Sequence, residues 1–95
     1  MTKHDKVANK LAKKFKTEYK SDKGIDLVTP NRVIEIETKK SSLSQGVKQV
    51  EKSVKPRYIA VNKINIENAL DATKNTGIGV MSETGRIVKK ASRKR

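Results

Sequence analysis

The apolar residues near the start of the chain recur with the spacing of an amphipathic helix. They fall at i, i+1, i+4, i+5 and i+8, and they are Val7, Ala8, Leu11, Ala12 and Phe15. This spacing predicts a helix from Lys3 to Phe15 with one apolar stripe and a lysine-rich opposite side. Beyond it, Thr17–Lys20 is predicted as a short strand, and Ser21–Gly24 as a polar turn.

Two β-rich segments follow, separated by a pair of residues with turn chemistry. Ile25–Val28 and Val33–Thr38 flank Pro30 and Asn31. Proline fixes φ and asparagine tolerates a left-handed backbone, so the pair favours a turn. The stretch therefore predicts a β-hairpin.

The hairpin gathers charged side chains on one face. A turn centred on the Pro-Asn pair sets Asp26 opposite Glu35, and directly opposed residues have Cβ atoms about 5 Å apart. Because side chains alternate along a strand, Glu35, Glu37 and Lys39 share one face. The other face of the second strand carries Ile34, Ile36 and Thr38. We therefore expect two or three carboxylates and one ammonium together on a polar face.

The rest of the chain is predicted to contain two helices and three strands. One helix is capped by Ser41 or Ser42 and ends before Pro56. The other lies between an Asn65 cap and a C-terminal glycine, Gly77. The strands are Arg57–Val61, Ile78–Met81 and Arg86–Val88, and the turn Ser82–Gly85 joins the last two. The order predicts a single small α/β domain, residues 1–90, with a central mixed β-sheet flanked by helices and a basic tail, residues 91–95.

The composition narrows the class of partner that this protein is expected to bind. The chain has 95 residues with 23 Lys and Arg against 10 Asp and Glu, a formal net charge of +13. Such an excess indicates a polyanionic partner, and we favour nucleic acid, because no helix couples its basic face to bulky aromatic anchors for a membrane surface. The absence of cysteine excludes a disulfide framework and a zinc–thiolate site. With no signal-peptide pattern and no apolar run long enough to cross a bilayer, we expect a cytoplasmic protein.

The charged hairpin face suggests a metal site. Carboxylates at so short a distance repel one another, and a divalent cation offsets the repulsion. Mg²⁺ or Mn²⁺ takes oxygen ligands, usually one or two carboxylates with water and phosphate. We therefore predict that Asp26, Glu35 and Glu37 hold the metal, and that Lys39 stabilises developing negative charge. The alternative is a solvated strand face whose charges serve solubility.

Several other polar residues are candidates for substrate contact. The lysines of the first helix and the basic tail are predicted to neutralise phosphates; they are Lys6, Lys10, Lys13, Lys14, Arg93, Lys94 and Arg95. Polar residues of the second helix follow the hairpin closely enough to reach substrate, and they are Gln45, Lys48, Gln49 and Lys52. His4 is interpreted as a helix-start or packing residue rather than a ligand.

The chain from about Lys3 to Val61 resembles the PD-(D/E)XK nuclease superfamily, of restriction-endonuclease-like fold. The resemblance lies in a helix, then Gly-Ile-Asp26-Leu-Val, then Val-Ile-Glu35-Ile-Glu37-Thr-Lys39, then a helix and a strand. Within the superfamily it is nearest to small archaeal Holliday junction resolvase-like nucleases. The resemblance implies a magnesium-dependent phosphodiesterase, and a homodimer if a junction is nicked symmetrically. It also implies a further acid on or near the first helix, with Asp5 as the positional candidate and Glu18 as the second.

The motif can be aligned in two registers. In the first, Glu35 is the second metal ligand and Glu37 stands where the family usually has lysine. In the second, Glu37-Thr38-Lys39 forms the E-x-K triplet, and Glu37 lies diagonal to Asp26. Direct cross-strand pairing favours the first register, and a bulge between Val33 and Thr38 would favour the second.

Two functions from different classes follow. The leading hypothesis is a metal-dependent endonuclease that cleaves DNA rather than RNA, including branched or junction DNA. The alternative is a non-catalytic nucleic-acid-binding domain that keeps the nuclease fold and the charge. Divalent-dependent cleavage discriminates between them.

Overall fold

A computed structural model describes residues 2–19 and 25–92. The helices are α1 (Lys3–Lys14), α2 (Leu43–Glu51) and α3 (Ile66–Ala72), and single turns of 3-10 helix precede α2 and α3. The strands are β1 (Leu27–Val28), β2 (Val33–Glu37), β3 (Arg57–Val61), β4 (Gly79–Ser82) and β5 (Ile87–Lys89). The prediction of a small α/β domain with a mixed sheet and helices is confirmed. No helix in the described part of the chain is long and apolar enough to cross a membrane.

The strands form one five-stranded sheet in the order β1-β2-β3-β4-β5. β2, β3 and β4 run parallel, and β1 and β5 are antiparallel to their neighbours at the two edges. The two parallel connections pass through α2 and α3, as crossovers between parallel strands usually do. Because β2 and β3 are parallel, their carboxyl ends meet at one end of the sheet, beside the beginning of β1.

Both faces of the sheet are covered. α1 packs on one face through the apolar stripe that the sequence predicted, against Leu27, Ile34, Ile36 and Met81 among others. α2 and α3 cover the opposite face, where Leu43, Val50 and Ala69 pack against residues such as Val33, Ile59 and Val61. A parallel strand buried on both faces should be apolar nearly throughout, and β3 has this pattern. β2 departs from it at Glu35 and Glu37.

Several local predictions differ from the structure. Ser42 precedes α2 but its side chain makes no capping hydrogen bond, and the last strand is Ile87–Lys89 rather than Arg86–Val88. Thr17–Tyr19 forms neither helix nor strand, because the Thr17 N–H closes the end of α1 on the Ala12 carbonyl at 2.9 Å and its hydroxyl donates to the Val28 carbonyl at 2.8 Å. Lys20, the last residue of that predicted strand, and Ser21–Gly24, the predicted turn, lie outside the described residues. After α3 the left-handed residue is Asn75, with φ 64°, rather than the predicted Gly77. Asparagine adopts this conformation because its short polar side chain can bond locally.

Candidate functional site

The hairpin brings Asp26 and Glu35 together in the predicted register. β1 pairs with β2 through Leu27 with Ile34 and Val28 with Val33. One step further along, Asp26 lies opposite Glu35, and its backbone N–H donates to Glu35 Oε1 at 3.0 Å. β2 also pairs without interruption with β3 from Val33 to Glu37. The strand therefore reaches Glu37 without a bulge, so the second register would rely on a diagonal reach from Glu37 to Asp26.

Asp26 is held in place by its surroundings. Its side chain is buried, and Oδ2 accepts the Ile36 backbone N–H at 3.0 Å. The same oxygen lies 3.1 Å from His4 Nε2. Burial raises the pKa of Asp26, while the Ile36 N–H and His4 oppose the rise. A buried carboxylate has lost its bound water and must be hydrogen-bonded to other groups instead. The burial of Asp26 therefore depends on these donors.

Glu35 is the most strongly perturbed carboxyl of the group. Burial, then the negative charge of Asp26, raises its pKa from 4.5 to about 8, and Glu37 adds to the rise. The backbone N–H of Asp26 works in the opposite direction. A carboxyl that keeps its proton near neutral pH because it is buried beside other carboxyls is a candidate for a functional site.

Glu37 lies deeper than the predicted polar face would place it. Only 8% of the residue is exposed, because α2 packs over this part of β2. A Cβ built on Gly46 of α2 would lie 2.7 Å from Glu37 Oε2, so the absence of a side chain at Gly46 lets the helix come this close. Burial raises the pKa of Glu37, and a hydrogen bond with Ser42 lowers it. Glu37 shares the face of Glu35, as side-chain alternation predicts, but α2 covers it.

A hydrogen-bonded network from α1 reaches the site. The Tyr19 hydroxyl donates to Asp5 Oδ1 at 2.9 Å and lies 3.1 Å from His4 Nδ1. His4 in turn contacts Asp26 through its other ring nitrogen. Asp5, a predicted additional acid, thus joins the site only through Tyr19 and His4. The sequence prediction of His4 as a helix-start or packing residue missed this contact, and Tyr19 was not singled out at all.

Lys39 lies beyond the end of β2. It is exposed and has an extended backbone, and a 3-10 turn begins at the next residue. The buried Asn65 side chain donates to the Thr38 carbonyl at 3.0 Å and so fixes the backbone just before Lys39. Asn65 was predicted as a helix cap and stands at the N-cap position of α3, but its side chain makes no capping hydrogen bond there and its amide holds the end of β2 instead.

The other predicted contact residues lie on the surface. Glu18 is exposed and lines a groove with Thr17, Ile25, Asp26 and Val28. On and just after α2, Gln49 is half-buried, and the exposed residues are Gln45, Lys48 and Lys52. The lysines of α1 that are predicted to contact phosphates are also exposed; they are Lys6, Lys10, Lys13 and Lys14. Lys14 donates through Nζ to the Thr84 carbonyl at 2.8 Å. The predicted tail residues Arg93, Lys94 and Arg95 lie outside the described residues.

The donor set matches the chemistry of a hard cation, and its geometry is incomplete. Mg²⁺ takes carboxylate oxygens and keeps several waters, so two neighbouring carboxylates can suffice. Asp26 and Glu35 are neighbours of that kind. Within residues 2–19 and 25–92, however, no three His, Asp or Glu side chains are arranged to hold a metal ion together. A site on these residues would therefore use Asp26 and Glu35 as its side-chain ligands, and Glu37 would have to turn to join them.

The perturbed carboxyl predicts a pH dependence of stability in metal-free buffer. The pKa of Glu35 is raised from 4.5 to about 8 in the folded state. The contribution of protonated Glu35 to the free energy of unfolding is therefore fully present below pH 4.5 and is lost as pH rises to about 8. Glu35→Gln removes this loss and keeps an oxygen for the Asp26 N–H. After screening by solvent, we expect the variant to gain on the order of 1 kcal/mol above pH 8, about 4–8 °C in Tm.

Thermal unfolding at pH 5 and pH 8.5 with a chelator measures the difference. Glu67→Gln on the exposed side of α3 is the matched control, and it should shift Tm equally at both pH values. A Glu35→Gln effect independent of pH would contradict the raised pKa.

No family model matches the chain, and neither a curated protein nor a solved structure matches it.

Proposed function

We propose that this protein is a magnesium-dependent nuclease of the PD-(D/E)XK type with a restriction-endonuclease-like fold. The observation that carries the proposal is the pairing of Asp26 with Glu35. Asp26 and Glu35 lie side by side where β1 begins beside the carboxyl end of β2, and the Asp26 N–H donates to Glu35 Oε1 at 3.0 Å. Burial raises the pKa of both carboxyls, and the negative charge of Asp26 raises that of Glu35 further. Ligand sites in open α/β sheets lie at the carboxyl ends of the strands.

The residues of the chain would divide the chemistry between them. Asp26 and Glu35 would hold Mg²⁺ or Mn²⁺, with Glu37 close by. The bound metal would supply a water of lowered pKa and would polarise the scissile phosphate. Lys39, on the exposed segment after β2, would add positive charge near a phosphate oxygen without being held in one position, so its contribution would be smaller than that of the carboxylates. The carboxylate of Asp26 is already held in place for this role by its contacts with the Ile36 N–H and with His4.

The substrate would be nucleic acid, and we favour DNA. The chain carries a net charge of +13, and its exposed lysines extend along α1 away from the carboxylates. Phosphate contacts of this kind position a backbone without reading its sequence. Branched or junction DNA is the substrate that the resemblance implies, and symmetric nicking of a junction would require a homodimer.

The test of this proposal is cleavage of plasmid and of a four-way junction with millimolar magnesium. We expect wild type to cleave and Asp26→Asn to be at least about a hundredfold slower, the scale for losing one positioned charge. Magnesium should also raise the Tm of wild type and leave that of Asp26→Asn unchanged, because a ligand stabilises only the state that binds it. Asp71→Asn, which removes an exposed acid from α3, is the control and should behave as wild type.

The second candidate is a nucleic-acid-binding domain that does not cleave. It is favoured by the absence of a three-ligand group among the described residues and by the high pKa of Glu35, which leaves that carboxyl neutral near pH 7. Wild type that binds DNA without cleaving it under magnesium or manganese, and that gains no Tm from either ion, would select this alternative.

A further inference from the structure

We infer that His4 is a positioning residue for Asp26, held in its orientation by Tyr19 and Asp5. The inference rests on the proposed function, because the role it assigns is to set the metal-binding carboxylate. His4 belongs to the first turn of α1 and Asp26 to the hairpin, 22 residues later. The contact at 3.1 Å between Nε2 and Oδ2 therefore ties two separate elements together at the site.

The orientation of the His4 ring is set on its far side. The Tyr19 hydroxyl uses its proton on Asp5 Oδ1 at 2.9 Å. Its oxygen, 3.1 Å from Nδ1, then accepts the Nδ1–H of His4. Because the carboxylate oxygen of Asp26 is also an acceptor, the contact at Nε2 needs a proton on that nitrogen too, so the doubly protonated imidazolium makes this arrangement. The ring planes of His4 and Tyr19 are tilted by 48°, with centroids 5.8 Å apart. With Nδ1 fixed in this way, Nε2 points at Asp26.

One carboxylate oxygen of Asp26 has two partners, which lie on different elements. Oδ2 takes the Ile36 N–H from within β2 and faces His4 from α1. Two partners on one oxygen fix the plane of the carboxylate and leave Oδ1 outside both contacts. Oδ1 is then the oxygen that Asp26 can offer to a cation. The same arrangement, in which a neighbouring group orients a ligand, typically changes metal affinity by about 10–100-fold when it is removed.

The position of Asp5 supports the inference. The Tyr19 hydroxyl holds the pKa of Asp5 below its usual range, so this carboxylate is a steady acceptor. The Asp5 N–H donates to the Thr2 hydroxyl at 3.1 Å, and Thr2 caps α1. The network is therefore attached to the capped start of α1.

The test measures the binding of magnesium and of manganese directly, by titration calorimetry on the full-length protein in the absence of nucleic acid. His4→Leu keeps bulk and removes the polar contact, and we expect its dissociation constant for either ion to rise by about 10–100-fold. His4→Gln retains an amide that can donate to Oδ2, and it should stay within about threefold of wild type. Tyr19→Phe removes only the hydroxyl and should fall between the two. Lys3→Gln, which removes the neighbouring ion pair to Glu83 at 2.8 Å, is the control for a weakened α1 and should bind metal as wild type does.

Each result decides the question. His4→Leu with wild-type metal affinity, or His4→Gln as weak as His4→Leu, would overturn the positioning role while leaving the proposed nuclease intact. If His4→Leu fails to fold, Tyr19→Phe and His4→Gln carry the comparison, and equal affinity in both and wild type overturns the inference. Wild type that binds neither ion would overturn the metal site itself, and the inference with it. DNA affinity in chelator should be the same in His4→Leu, His4→Gln and Tyr19→Phe as in wild type, because His4 acts on the metal ligand.

Discussion

Glu35→Gln should lower magnesium-dependent cleavage by about two to three orders of magnitude, whereas Lys39→Ala should lower it by less than about tenfold. The difference follows from the pairing of β1 with β2. Glu35 lies directly opposite Asp26 and accepts its N–H, while Lys39 follows the end of β2 in an exposed segment. Single-turnover rates with saturating magnesium measure both effects.

The controls for this comparison share the environment of the residues they match. Lys40→Ala removes the next exposed lysine along the chain and should leave the rate unchanged. Glu37→Lys, which restores the more familiar triplet of the family, should retain part of the activity. A loss of about a hundredfold in Lys39→Ala with a mild effect of Glu35→Gln would instead identify Glu37-Thr38-Lys39 as the working triplet.

DNA affinity should fall about a thousandfold between 50 and 200 mM salt. This is the loss expected when about six phosphates are neutralised and their counterions released. Lys6→Ala, Lys10→Ala and Lys13→Ala should each reduce the slope of log affinity against log salt by about one, and should weaken different duplex sequences alike. Fluorescence anisotropy in a chelator separates this binding from cleavage.

Two further variants sharpen the assignment to α1. Lys74→Ala removes an exposed lysine after α3, on the sheet face opposite α1, and should leave the slope unchanged. Lys14→Ala should change it less than its neighbours do, because Lys14 Nζ already donates to the Thr84 carbonyl. Affinity that hardly varies with salt would remove nucleic acid as the partner of this basic surface.

The elements that local pattern predicts well are those whose pattern agrees with their surroundings. The apolar stripe of α1 gave a helix that ends one residue short of the predicted Phe15. β3 has the predicted bounds, Arg57–Val61, because a continuous apolar run suits a strand buried on both faces. The hairpin register also follows from local chemistry, since the Pro30-Asn31 turn and the apolar alternation of the strands both require it.

The parts of the site that escaped prediction depend on contacts between distant segments. The approach of His4 to Asp26 requires the packing angle of α1 on the sheet, which a helical stripe does not specify. The burial of Glu37 requires α2 to come close at Gly46, and a lone glycine inside a helical pattern has no unique meaning. Tyr19 lies outside helices and strands, where no periodicity points to a partner. Local pattern therefore located the carboxylates but not the groups that hold them.

The order in which the carboxylates meet their neighbours has a kinetic consequence. Asp26 and Glu35 are nine residues apart and are joined by a tight turn, so closing the hairpin costs little chain entropy. Pairing β2 with β3 must instead wait for the crossover through α2, and such long-range parallel pairing is slow. The hairpin can thus close during folding before α2 covers Glu37 or α1 brings His4 to Asp26. The opposed acids would then repel while still in water, where the repulsion is weak, and their burial becomes a late step on the route to the native state.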